Sequence, residues 1–483
     1  MADISKIRIL NTDYDIKDET ARNIIDKQLY SFGTLNEMTS STLLKNGDFA
    51  KTLGFYEIND GGSALYKIKK HTDEVVNNYS IFAITNTDLI AELIIEDYID
   101  VKQFGAYGDN IHDDTNAFKN CITFAKNTIT GYKPLTAGIN INIPSGTYII
   151  SDTLKIDVDG ISIIGESYSS SIINAVGFDG IIFDFSKNDL SALYRNSLKN
   201  LTILSRILEN EKPVHVYTYK LYHGSLENLR LYGYYNGIEI WNGGKTFLNN
   251  IILGTYQGGE YTNIGITLDG SDIHLNDIQI QPDLTNYLYA LECKNVDGLY
   301  INNMHTNGLC RITALKKDGT GGSASEITFN NCHFDTSSKD CFNINGWQDN
   351  SIRNIKFNNC YFLNNLEKSG VVFNTAFITG VINFSNCAFK NCLRGILGNT
   401  KTVLNINDCD FINNQYEDLV IKSNNNIITS SRFTGNKTIS ANAISLSSGI
   451  INNIISLCNL AEITTTAPKI TSIENNTILN NIL

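Results

Sequence analysis

The chain has 483 residues, with 50 acidic against 38 basic side chains, a formal net charge of −12 and a sequence pI of about 5.1. Phosphate backbones attract the opposite sign, so a nucleic-acid role is excluded. Met1-Ala-Asp-Ile-Ser-Lys6 contains no apolar signal core and no 18-residue apolar run follows, so neither a cleaved export signal nor membrane insertion is expected.

In chain order, residues 17–30 place Ala21, Ile24, Ile25 and Leu29 on one helical face. This predicts a short helix, either simply packed or acting as a trimer stem. Between Leu44 and Ile68, short strands are expected around the turn Asn59-Asp-Gly-Gly62, giving a small mixed domain over residues 1–95. Further on, Asp113 or Asp114 can cap a helix over 113–127 whose apolar stripe is Ala117, Phe118, Cys121, Ile122 and Ala125. Such a helix suits the open end of a solenoid, which otherwise exposes strand edges and core. Asp100, Asp109, Asp113 and Asp114 read as caps of turns and helix, not as catalysts.

From residue 201 to 460 one phrase recurs at steps of 22 to 28 residues. It is plainest as Ile327-Thr-Phe-Asn-Asn-Cys-His-Phe334, Ile355-Lys-Phe-Asn-Asn-Cys-Tyr-Phe362, Ile382-Asn-Phe-Ser-Asn-Cys-Ala-Phe389 and Leu404-Asn-Ile-Asn-Asp-Cys-Asp-Phe411. That period, with period-2 alternation inside each unit, belongs to a solenoid built from strands. Each unit is one coil of a parallel β-helix spanning 96–483. About a dozen coils at ~4.8 Å each would make roughly 55–65 Å. Of ten cysteines, Cys332, Cys360, Cys387 and Cys409 share one register and are expected inside as free thiols. There is no CxxC pair, and His274, His305 and His333 are scattered, so neither metal nor other cofactor is expected.

The run Asp100-Val-Lys-Gln-Phe-Gly-Ala-Tyr-Gly-Asp-Asn-Ile-His-Asp-Asp-Thr-Asn-Ala-Phe118, followed by Ile143-Pro-Ser-Gly-Thr-Tyr148 and Gly160-Ile-Ser-Ile-Ile-Gly165, closely resembles the start motif of pectate-lyase-like right-handed β-helix proteins. Residues 43–68, LLKNGDFAKTLGFYEINDGGSALYKI, look like the N-terminal module of tail spikes and neck appendages from phages or prophages of Gram-positive bacteria. The resemblance covers roughly residues 1–170, and the coil repeat carries it to the C-terminus. It implies an all-β chain, a single-stranded right-handed parallel β-helix of the pectin-lyase-like kind. It further implies a virion tail or neck appendage, made in the bacterial cytoplasm and acting at the host surface. Its implied partners are phage tail or neck proteins, reached through the N-terminal domain, two further copies in a homotrimer, and a bacterial surface glycan.

Candidate chemistry concentrates between residues 214 and 300, with Arg311 on the next coil. Tyr217, Tyr219, Tyr222, Tyr232, Tyr234, Tyr235, Tyr256 and Tyr261 surround Trp241, one of two tryptophans. They hold sugar rings, or they decorate loops and a trimer seam. Alternation in the strands before each phrase leaves two outward columns. One is His215, Glu239, Thr267, Glu292, Arg311 and Asn343; the other is Tyr217, Trp241, Asp269, Lys294, Thr313 and Asn345. Glu239 and Asp269 then lie roughly 8 Å apart, within the ~6.5–9.5 Å of an inverting glycosidase pair. Asp272 or Glu292 adds a further carboxylate, and the grouping resembles the acidic site of O-antigen-cleaving tailspikes. The expected catalytic groups are therefore Glu239, Asp269, Asp272 and Glu292. Tyr217, Trp241, Lys294, Arg311 and His215 are expected to bind substrate. A lyase using Lys294 and Arg311, a teichoic-acid phosphodiesterase, and a spike that only binds, its carboxylates mere solvated decoration, are the alternatives.

Overall fold

A computed structural model describes residues 6–9, 12–15, 28–95, 98–131, 138–206, 211–255, 263–281, 289–336, 339–346, 351–374, 380–437, 441–471 and 475–482. The chain divides into two compact units, Met1–Lys133 with Ile139–Pro144, and Pro134–Gly138 with Ser145–Leu483.

The first unit holds a five-stranded mixed sheet in the order Leu29–Phe32, Phe49–Thr52, Leu65–Lys70, Leu89–Ile94 and Ile81–Ala83. Leu29 opens a strand paired in parallel with Phe49–Thr52, where a helix was expected to end. Tyr30 and Phe32 favour extended backbone there; Ala21, Ile24 and Ile25 lie outside the described residues. The Asp60 carboxylate organises the expected turn by accepting from the N–H groups of Phe55, Tyr56, Glu57 and Gly62. Asp100 accepts from Lys102 N–H and Asp114 from Tyr107 and Gly108 N–H, while Asp113 caps Thr115 N–H. The helix Thr115–Gly131 buries Ala117, Phe118, Cys121, Ile122 and Ala125.

The second unit is a single-stranded, right-handed parallel β-helix. Successive phrases pair in exact repeat register: Ile327 with Ile355, Ile355 with Ile382, Ile382 with Leu404. Because the register repeats, like side chains stack. Inside, the rings of Phe334, Phe362, Phe389, Phe411 and Phe433 follow one another at 4.7–5.0 Å. Cys332, Cys360, Cys387 and Cys409 are buried free thiols; burial pushes Cys360 well up, and the contact with the Cys387 thiol, with burial adding to it, does the same for Cys409. The Asn-rich corner has a backbone cause. Asn250, Asn303, Asn331, Asn359 and Asn386 take φ of 51–55°, the left-handed conformation that asparagine accepts more readily than other residues with a Cβ. One step earlier, Asn249, Asn276, Asn302, Asn330 and Asn358 form a ladder of amide bonds at 2.8–2.9 Å.

Candidate functional site

Seven consecutive strands, from Leu154–Ile156 through Val214–Tyr219 and Asn236–Gly244 to Cys310–Ile312, build one wall. Their register sets Lys155, Asp184, Tyr217, Glu239, Thr267, Glu292 and Arg311 in a single outward column. Tyr217 pairs with Glu239, so it takes the place expected for His215. His215 is fully buried, 2.7 Å from Ser205 Oγ, and burial lowers its pKa to about 3. The expectation failed because each strand starts at a coil corner. There two successive residues face inward: His215 and Val216, Gly237 and Ile238, Gly265 and Ile266. Alternation begins only after that corner.

Asp269 sits at a break in register. Leu268 pairs with Ile240 and Cys293, but Gly270 pairs with Gly243 and Val296. One residue therefore stands opposite two on either side, Trp241–Asn242 and Lys294–Asn295. A bulge of this kind re-aims a side chain. The crossing is tight: at Gly270 (φ 148°) a Cβ would lie 2.1 Å from Gly243 O, so glycine is required. Asp269 is 1% exposed, and Asn295 Nδ2 donates to its Oδ1 at 3.3 Å. Burial raises its carboxyl above the ordinary aspartate value, opposed by Asn295, the Asn242 N–H and the Lys294 and Lys316 ammoniums.

Around it the column is densely paired. Glu239 accepts from Asn236 Nδ2 at 2.6 Å and Trp241 Nε1 at 2.8 Å. Trp241 is 7% exposed, with the Lys294 and Lys317 ammoniums each 5.1 Å from its ring. Glu292 is buried; it accepts from Arg311 Nε at 2.7 Å and lies 3.6 Å from Lys294 Nζ. The Arg311 guanidinium also rests 3.4 Å from the Tyr289 ring centroid. Asp272 does not join this group. It is exposed, with φ 52°, further along the same strand, beyond the bulge. A groove of about 390 Å³ borders the wall, lined by Tyr222, Asn242, Gly243, Gly270 and Asn295 among others.

Several contributors escaped the sequence reading. Lys155 Nζ reaches Asp184 at 2.6 Å and Ser186 Oγ at 2.7 Å, one coil above Tyr217. Following the outward column two more coils, through Phe183-Asp184-Phe185 to Leu154-Lys155-Ile156, would have found them. Lys317 has no such signal: it reaches Tyr217 across 100 residues of sequence. Of the tyrosines, Tyr234 is fully buried, and Tyr256 and Tyr261 lie outside the described residues. Among the described residues, no three His, Cys, Asp or Glu side chains converge as for a metal ion.

The sequence model of the family described as rhamnogalacturonase A/epimerase, pectate lyase-like, matches residues 98–397. Over 147 residues the chain is 29% identical to an uncharacterized 65.4 kDa protein in the cps region of Klebsiella pneumoniae, covering 29% of this chain and 23% of that protein. Over 83 residues it is 36% identical to the non-secreted LysM effector LysM19 of Penicillium expansum, covering 17% of this chain and 6% of that one. The chain thus spans less than a quarter of the length of either curated relative. Among solved structures, the N-terminal fragment of gene product 12 of bacteriophage Phi29 superposes with a TM-score of 0.53 at 15% identity, covering 80% of this chain and 70% of that fragment. That likeness is one of fold. With more than half of its residues matched, the chain belongs to the rhamnogalacturonase A/epimerase, pectate lyase-like family.

Proposed function

We propose that this chain binds and cleaves a bacterial surface polysaccharide by hydrolysis, as part of a phage or prophage tail or neck appendage. The observation that carries the reading is Asp269, a buried carboxyl with a raised pKa, set by a bulge two residues beyond Thr267, the register partner of Glu239. Asp269 acts as general acid and protonates the glycosidic oxygen as the bond to the anomeric carbon breaks. Glu239 takes a proton from the water that attacks that carbon, so configuration inverts. Glu292 acts differently from the expectation for it: it holds Arg311 and Lys294 in place. That engagement also weighs against elimination, in which one of these cations would abstract the proton. Tyr217 and Trp241 line the substrate path. The N-terminal domain, residues 1–95, joins the chain to phage tail or neck proteins, and the working form is a homotrimer.

Purified protein incubated with host capsule and wall polymers, with products read by mass spectrometry, tests the chemistry. New reducing ends support hydrolysis. An unsaturated uronate would mean a lyase, a released phosphomonoester a diesterase, and intact polymer a binding spike. Light scattering at micromolar concentration tests the trimer, and a monomer there would remove it.

A further inference from the structure

The hairpin closed by Leu315 and Gly321 leaves the wall after Thr313 and turns at Gly319, φ 79°. Its exposed Lys317 comes to rest on residues whose register lies three and four coils earlier, a reach of up to about 19 Å at ~4.8 Å per coil. There the Lys317 ammonium meets three rings: Tyr217 at 4.6 Å, Trp241 at 5.1 Å and Tyr219 at 5.6 Å. It also donates to the Tyr217 hydroxyl. Among the described residues, no carboxylate oxygen lies within 4.0 Å of it. The attraction is therefore to ring faces, the ordinary way in which an aromatic cage selects an ammonium group.

The cage belongs to the wall and not to the hairpin. Tyr217 and Tyr219 point outward two residues apart on one strand, and Tyr219 pairs with Trp241 on the next. Beneath them Glu239 accepts the Trp241 indole N–H. That bond draws positive charge toward the ring edge and leaves the face more negative. Two further ammoniums border the same rings: Lys294, 3.6 Å from Glu292, lies 5.1 Å from Trp241, and Lys220 lies 5.6 Å from Tyr219. We propose that Tyr217, Tyr219 and Trp241 form a subsite for a primary ammonium group on the glycan, that of an amino sugar. Lys317 fills it as an internal stand-in, which substrate displaces. The proposal rests on the carbohydrate reading above and adds the substrate class.

The test uses the full chain with Trp347→Phe, so that Trp241 alone reports by fluorescence. The probes are glucosamine, N-acetylglucosamine and glucose at matched ionic strength. Lys317→Met empties the cage while keeping an apolar stem over the wall, and Lys317→Ala is the second variant; circular dichroism checks that each is folded. In both variants glucosamine is expected to bind roughly fivefold or more tightly than N-acetylglucosamine, the scale of one cation–π contact. With Lys317 intact, glucosamine binds more weakly by a similar factor. Adding Tyr219→Leu to Lys317→Met abolishes the preference. Equal binding of the three sugars, no binding to the folded variants, or no difference between Lys317 and Met would overturn the subsite. Depolymerisation by Glu239→Gln is read separately. If that variant loses activity while glucosamine shows no preference, hydrolysis stands and the amine subsite falls. If glucosamine prefers the emptied cage but no polymer is cut, the subsite stands as a binding site and hydrolysis falls.

Discussion

At the scale of single residues, Asp269 is reached by a missing backbone position: the strand is one residue short between its two neighbours. Asp269→Asn and Glu239→Gln should each lower depolymerase turnover by about 10²–10⁴, because in the proposed mechanism each acts on a proton that moves only in the transition state. Folded protein by circular dichroism with near wild-type rates would place the chemistry elsewhere. A general acid must hold its proton, so turnover should fall as pH rises through the raised Asp269 pKa, and Asp269→Asn should lose that limb. His215 gives the opposite sign through stability. Its pKa is lowered from 6.5 to about 3, so between those values the unfolded chain binds more protons. Stability from His215 is complete above pH 6.5 and drains as pH falls toward 3. Urea midpoints across that window should fall less steeply for His215→Gln than for the wild type. These residues also mark how far sequence carries. Glu239 was legible as an outward position because alternation holds there, whereas the bulge that buries Asp269 leaves no mark in the alternation. His215 was misplaced because the coil corner suspends alternation, and Lys317 was invisible because a hairpin brings it back across the coils.

At the scale of the element, the corner turn and the stacks between coils do the holding. Asn359 has φ 54° and exchanges amide bonds with Asn331 at 2.6 Å and Asn386 at 3.1 Å. Asn359→Ala should cost about 1–2 kcal/mol for the left-handed backbone, besides the lost amide bonds. Asn359→Gly should restore the backbone part only, so denaturant titration of the two variants separates the contributions. The repeated Asn-Asn made this corner readable in the sequence, as Cys-x-Phe did for the interior stacks. An exception lies at Lys437 and Asp418. Their charges meet at 2.6 Å with both side chains at 0% exposure, and Asn414 Nδ2 donates to the same carboxylate oxygen at 2.7 Å. A period-2 pattern assigns interior places to apolar residues, so it could not announce a charged pair there. Lys437→Met strands Asp418 in the interior and should destabilise by about 3–5 kcal/mol, read as a lower urea midpoint. An unchanged midpoint would mean that the pair is hydrated.

At the scale of the whole molecule, coil repetition was fully legible, since a solenoid is stabilised by neighbours in sequence order and its period is written along the chain. The surface field is equally legible in the formal charge of −12, but what it selects depends on local pairing. On the wall, Lys155 answers Asp184 and Arg311 answers Glu292, so the long-range field stays that of the net acidic chain, while the proposed amine subsite under Lys317 would act at short range. Fields of this sign speed the approach of cationic ligands and slow anionic ones, and salt flattens both effects as the Debye length shrinks from ~30 Å at 0.01 M to ~8 Å at 0.15 M. An amine-bearing glycan should therefore associate faster at low salt than at physiological salt. A polyanionic glycan should show the reverse slope. Stopped-flow fluorescence at several ionic strengths, with a partly de-N-acetylated oligosaccharide against a uronate oligomer, measures both. Faster association of the uronate at low salt would show that a local basic groove, and not the net acidic field, governs which polymer reaches Asp269 and Glu239.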